Sequence, residues 1–336
     1  IYSQNFKKRI VILTKSGGLE DILSAYKNPD NNNDIGYYIL PRQLIKIIFL
    51  NFLKNEEFGD FLTIDTNEKI KNKKENYKLF IKKTFLKLNK FWKFDALISF
   101  NPFYYAENDL PEPIKDIGKK FLIIHKESVH VQAVHMMTFK IYRDHNKKNL
   151  ANKVAVYSEN EKKKLVDTNL LESSQLEVVG CARSDYCFEL REIQPIKNKI
   201  IYYMIVPDRD QIFKKINKLP KEQTVEWFDL ANLTIKYLVE YASKNPNVNI
   251  VFKGKWGVHS LNDLPENLPN NCSFEVENPG HKYLKDSKVV ICFNSTILFE
   301  AIMANREVII PNFGIDRSKL NEFILKSPNK FADTKE

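Results

Sequence analysis

Short apolar runs alternate with longer stretches of helical spacing along the whole chain. Arg9-Ile10-Val11-Ile12-Leu13-Thr14 reads as a first buried strand, broken at Gly17-Gly18 and followed by a helical stretch. Residues 94–100 predict a strand ended by Asn101-Pro102, and 120–124 predict another that runs into His125-Lys126-Glu127-Ser128. A helix is expected over about 129–150, a strand over 152–158 and a helix over 159–171. The second half repeats the scheme, with a strand at 199–206, a polar loop at 207–220, a helix at 224–244 and a strand at 248–253. A strand at 288–293, a helix at 294–305 and a strand at 307–311 follow. Unbroken β-branched runs between helices imply parallel strands covered on both faces. Alternation in both halves predicts an α/β protein with two Rossmann-like domains and a cleft between them. The expected domains are 1–185 and 186–336, joined between the Val178-to-Asp185 stretch and Asn198.

A length of 336 residues suits two such domains. No uninterrupted apolar run reaches the roughly 18 residues of a membrane-crossing helix. The chain opens on Ile1, and its first residues lack the charged, apolar and small-residue order of a secretory signal. Cys181, Cys187, Cys272 and Cys292 form no CxxC pair, which fits free thiols in a reducing cytoplasm.

The net charge of +10 has two readings: a lysine-rich solvated surface, or attraction to an anionic partner. The densest basic stretch runs from Lys69 to Lys90. Its Leu79, Phe80, Phe85, Leu86 and Leu88 predict an amphipathic helix with a basic face. A surface helix on a packed core is the preferred reading, and peripheral contact with a membrane surface the sharper one.

The strongest chemical signal is the run from Val289 to Ile302. A buried strand ends in Asn294-Ser295-Thr296 and a helix begins at once. The first helical turn has unpaired N–H groups and partial positive charge, so small hydroxyl residues there can cap the helix and leave room for a phosphate. Glu300, one turn in, is positioned to accept hydrogen bonds from sugar or ribose hydroxyls. Lys253-Gly254-Lys255-Trp256-Gly257, after another strand, offers Lys253 and Lys255 to a phosphate. Gly17 marks a loop expected to face the cleft. In His125-Lys126-Glu127-Ser128, Glu127 is the first choice for a general base and His125 the second. The alternative for both is structural: Glu127 as a helix cap and His125 in a fixed hydrogen bond. His125, His130, His135 and His145 are spaced by five and ten, which does not align on one helical face. No metal site or cofactor is expected.

Asn294-Ser295-Thr296, Glu300-Ala301 and Glu307-Val308-Ile309-Ile310-Pro311 resemble the donor-site segment of GT-B glycosyltransferases. Val154 to Ser158, then Val178-Val179-Gly180-Cys181-Ala182-Arg183-Ser184-Asp185, resemble the end of the N-terminal domain in bacterial surface-carbohydrate (capsule and lipopolysaccharide) transferases. That resemblance adds Gly180 and Arg183 as cleft residues. It covers roughly residues 120 to 313 and departs from the family pattern at Asn305-Arg306, where small or glycine-containing turns are usual. It implies a metal-independent cytoplasmic enzyme, working at the inner face of the membrane. The enzyme would transfer sugar from a nucleotide-activated donor, CMP-Kdo-like or UDP-linked, to a surface glycan or lipid-linked acceptor. Two alternatives remain open: a nucleotide-sugar 2-epimerase of the same fold, and a non-catalytic binder of nucleic acid or another anionic polymer. No nucleic-acid motif is found, and no nucleic-acid partner is expected.

Overall fold

The computed structural model describes residues 6–15, 18–27, 34–54, 68–102, 104–126, 148–167, 169–206, 227–293, 295–313, 317 and 325–333. The chain divides into two compact units, the first ending at Arg183 and the second resuming at Ser184. Each holds a six-stranded sheet.

In the first unit the strands are β1 (Lys8–Leu13), β2 (Ile35–Leu40), β3 (Ala96–Ser99), β4 (Lys120–Ile124), β5 (Lys153–Val156) and β6 (Leu176–Val178). They lie in the order β2-β1-β3-β4-β5-β6, and every neighbouring pair is parallel. Val11 and Leu13 of β1 join the larger core with Leu97, Phe121 and Val154, while Ile12 faces a second cluster with Ile22, Ile98 and Phe100. Both faces of β1 are thus covered, which is why its sequence is a continuous apolar run rather than an alternation.

The helices of this unit are α1 (Gly18–Lys27), α2 (Arg42–Phe52), α3 (Glu68–Trp92), α4 (Pro111–Asp116) and α5 (Glu159–Asp167). Along α3, Ile70, Lys74, Tyr77, Ile81 and Phe85 recur every three or four residues and form its buried face. The buried Lys74 is neutralised by Asp109 at 3.1 Å, and the Tyr77 hydroxyl donates to the Ala106 carbonyl at 2.6 Å. The helix ends on Lys93 in the left-handed conformation, whose N–H closes onto the Asn89 carbonyl.

The second unit contains β7 (Ile196–Tyr203), β8 (Asn249–Lys253), β9 (Cys272–Glu275), β10 (Ser287–Ile291), β11 (Glu307–Pro311) and β12 (Lys330–Ala332). Its helices are α6 (Ser184–Glu189), α7 (Trp227–Lys244) and α8 (Ile297–Met303). The order is β12-β11-β10-β7-β8-β9, again all parallel. Tyr202, Phe252, Val290, Val308 and Ile310 are buried on it.

Two unbroken parallel sheets make this the α/β, Rossmann-like arrangement expected from the sequence. The sequence reading left out β2, β6, β9 and β12 as strands, and α2, α4 and α6 as helices. The predicted helix over 129–150 and the polar loop over 207–220 lie almost wholly outside the described residues. Among the described residues no helix is long and apolar enough to cross a membrane.

Candidate functional site

In a parallel sheet, ligands are taken outside the C-terminal strand ends where the chain reverses its direction of travel across the sheet. The second sheet reverses at β7, from which the chain proceeds first to β8 and β9 and then, on the other side, to β10, β11 and β12. Its switch point therefore lies at the C-terminal ends of β7 and β10. Those ends carry Tyr203-Met204-Ile205 and Cys292-Phe293, with Ser295-Thr296 leading into α8.

Ser295 and Thr296 are half-buried there. Thr296 precedes α8 in a helical conformation, with φ −62° and ψ −19°, and its side chain makes no capping bond. The expected capping role falls instead, weakly, to Ser295, whose Oγ accepts from the Ile297 N–H at 3.4 Å. Tyr203 donates its hydroxyl to the Gly280 carbonyl at 2.7 Å. Burial raises that hydroxyl's pKa well above the ordinary value, and the negative charge of Glu300 raises it further. Cys292 is fully buried, and burial pushes its thiol up to about 12, so it stays protonated. Asn294 lies outside the described residues.

Lys253 turns inward at the end of β8. Its ammonium donates to the Gly254 carbonyl at 2.6 Å and the Val276 carbonyl at 3.0 Å, and lies 5.9 Å from the Tyr283 ring centre. Desolvation lowers its pKa, opposed by the charge of Glu275. Gly254 is needed for packing: a Cβ there would meet His259 Cβ and Val276 Cγ1 at 2.9 Å. His259 ties the loop after β8 to the end of β7. Its Nδ1 accepts from the Lys255 N–H at 2.9 Å, which leaves Nε2 to donate to the Ile205 carbonyl at 3.0 Å. The Lys255 side chain and Trp256 are exposed on this loop.

The departure at Asn305-Arg306 has a structural answer. Asn305 takes the left-handed conformation, φ 56°, that a glycine would otherwise supply. Arg306 is buried and spans four carbonyls, donating to Leu284 at 2.8 Å, Leu190 at 3.0 Å, Ile193 at 3.2 Å and Lys285 at 3.4 Å.

In the first unit the sheet reverses at β1, between β2 and β3. Beyond those ends Arg42 and Ser99 both hydrogen-bond the buried Glu107, and the Arg42 guanidinium lies 4.1 Å from the Tyr104 ring centre. Burial raises the Glu107 carboxyl, and Arg42 opposes the rise. Beyond β4, His125 is 1% exposed with Nδ1 3.2 Å from Glu161 of α5, and its N–H donates to the Ala155 carbonyl. Glu127 and Gly17 lie outside the described residues.

Gly180 follows β6 with φ +73°, a conformation that strains any side-chain-bearing residue. Gly180→Ala is expected to cost about 1 kcal/mol, read as a lower urea midpoint with unchanged slope. Just beyond, the Arg183 N–H donates to Asp21 Oδ1 at 3.1 Å, and the Arg183 guanidinium lies 3.7 Å from Asp21 Oδ2. The Tyr157 hydroxyl donates to Oδ2 at 2.6 Å. The buried Asp21 thus ties α1 to the ends of β5 and β6. Glu107 and Asp21 were not singled out from the sequence, because their partners are distant along the chain. Only the position of Asp21 in the first turn of a helix after a glycine pair hinted at it.

No protein-family model and no curated protein matches the sequence. Solved structures do resemble it. A UDP-GlcNAc 2-epimerase from Methanocaldococcus jannaschii superposes with a TM-score of 0.52 at 12% identity, covering 97% of this chain and 89% of its own. One from Neisseria meningitidis, bound to UDP-GlcNAc, gives 0.51 at 11% identity over 90% and 81%. MnaA of S. aureus, solved with UDP, gives 0.52 at 10% identity over 90% and 79%. At such identities the likeness defines the fold: this chain has the two-unit GT-B architecture.

Proposed function

We propose that the protein is a nucleotide-sugar enzyme whose second unit holds the nucleotide diphosphate, and whose reaction is glycosyl transfer to a glycan or lipid-linked acceptor. The observation that carries the reading is the switch point of the second sheet. It lies where Ser295 and Thr296 immediately precede the first turn of α8, in a fold solved elsewhere with UDP and UDP-GlcNAc. Those complexes favour a UDP-linked donor over a CMP-linked one.

In this reading Ser295, Thr296 and Asn294 receive phosphate oxygens, with the α8 N–H groups stabilising charge on the departing nucleotide. Glu300 orients hydroxyls and Lys255 contributes charge. Lys253, spent on carbonyls, shapes the loop. Glu127 of the first unit is the base, with His125 and Glu161 anchoring the strand end two residues before it. Arg183, held by Asp21, and Gly180 shape the edge on which the acceptor rests. We place the reaction in the cytoplasm, at the inner membrane face.

A second reading, epimerisation at C2 of the sugar, is favoured by the 2-epimerases that share the fold. Product analysis separates the two. Transfer predicts UDP release only when acceptor is added, with Glu127→Gln slowing turnover by about 100-fold or more while UDP affinity holds. Formation of the C2 epimer without acceptor would replace the transferase reading.

A further inference from the structure

The second half of α3 presents an outward face of unusual composition. Between Leu79 and Phe91 the side chains that project away from the core are Leu79, Phe80, Lys83, Leu86, Lys87, Lys90 and Phe91. Leu79, Lys83, Leu86 and Lys90 step by four, three and four residues, so they stack along one line opposite the buried Tyr77, Ile81 and Phe85. Phe80, Lys87 and Phe91 form the adjacent line. A soluble helix normally puts polar residues on this side. Here Phe91 is 80% exposed, Leu79 50%, Leu86 45% and Phe80 44%. The Phe80 ring meets Phe52 of α2 at 5.7 Å, which continues the apolar surface onto the neighbouring helix. From Leu79 to Phe91 there is no Asp or Glu. The acids of α3, Glu68 and Glu75, lie in its first half and pair with Lys71 and Lys78.

We infer that this face is a docking surface for a membrane carrying anionic lipid headgroups. Large aliphatic and aromatic side chains interleaved with lysines match both layers of a bilayer surface. The apolar groups enter the headgroup–acyl boundary, and the ammonium groups remain at the phosphate level on their flexible stems. A second copy of the chain fits poorly, because a two-fold contact would set lysines against lysines, and the acids bordering the face, Glu112 and Asp116 of α4, already pair with Lys78 and Lys82. A water-borne polyanion would satisfy the lysines but leave the four apolar side chains in water. The inference is independent of the donor site: its failure would remove the placement at the membrane face and leave the nucleotide-sugar chemistry standing.

The test is co-sedimentation of the full chain with vesicles of phosphatidylcholine alone and of phosphatidylcholine mixed with phosphatidylglycerol. Binding is expected on the mixed vesicles and to fall with salt. Neutralising Lys83, Lys87 and Lys90 to Gln is expected to weaken it on the order of 100-fold, about fivefold per lysine. Leu86→Ser with Phe91→Ser is expected to weaken it by about tenfold or more. All these positions are exposed, so the variants should keep the wild-type melting temperature, and a variant that does not is replaced by its single substitutions. Three outcomes overturn the inference. One is absent binding, or equal binding to both vesicle types. Another is a wild-type dimer that the serine variant converts to monomer without vesicle binding. The last is binding to a polyanion such as heparin that needs the lysines but ignores the serine substitutions.

Discussion

Arg306→Met is expected to destabilise the second unit by about 3–5 kcal/mol. The side chain is 7% exposed, and its guanidinium serves four backbone carbonyls from two stretches of chain: 190–193 before β7, and Leu284-Lys285 before β10. Hydrogen bonds from a charged donor contribute about 1.5–3 kcal/mol each, but one nitrogen is shared among three acceptors, so the sum is well below fourfold. Methionine fills similar volume and leaves the carbonyls buried without a donor, and that desolvation cost dominates. Lysine would restore little, since a single ammonium cannot span the same carbonyls. The effect should be local. Hydrogen exchange at the amides of β10 and β11 should accelerate, while those of β3 and β4 keep wild-type rates. Uniform acceleration, or none, would show that Arg306 does not staple the second sheet.

Asp21→Ala is expected to cost the first unit about 3 kcal/mol. Asp21 is 4% exposed and accepts from the Tyr157 hydroxyl and the Arg183 N–H, beside the Arg183 guanidinium. Removing the carboxylate leaves those donors unsatisfied and the guanidinium without its counter-charge, the expensive way to break a buried pair. Burial already holds the Tyr157 hydroxyl far above the ordinary tyrosine range. A urea midpoint shift much smaller than this cost implies would mean that water enters and replaces the carboxylate. Asp21→Asn keeps an acceptor for Tyr157 and Arg183 and should recover part of the loss.

The inner strands of both sheets were legible because each is buried on two faces and so reads as an unbroken apolar run. The strands that escaped, β2, β6, β9 and β12, are the four outermost ones. An edge strand is covered on fewer sides. Ile35, Tyr37 and Ile39 of β2 are exposed while Tyr38 packs inward, and Lys330-Phe331-Ala332 is too short to carry a pattern. The strand-end turns at Ser295, Gly180 and His125 were also legible, since they sit where apolar runs stop. The buried polar hubs were not. Asp21 and Tyr157, Arg42 and Glu107, and Arg306 and Leu190 are each brought together only by the fold, and neither local spacing nor composition marks them. The same blindness made Lys253 look like a free phosphate ligand, when its ammonium is committed to the Gly254 and Val276 carbonyls.

Hydrogen exchange of the intact chain with and without UDP asks most directly whether the reversal of the second sheet is a phosphate seat. The account predicts slowed exchange in segments 203–205 and 292–300. With UDP about 100-fold above its Kd, amides that exchange by global opening of the second unit should slow on the order of 100-fold. Thr296→Ile, which removes the uncommitted hydroxyl and fills its space, should abolish the effect. Protection confined to the first unit, or unchanged in Thr296→Ile, would contradict it.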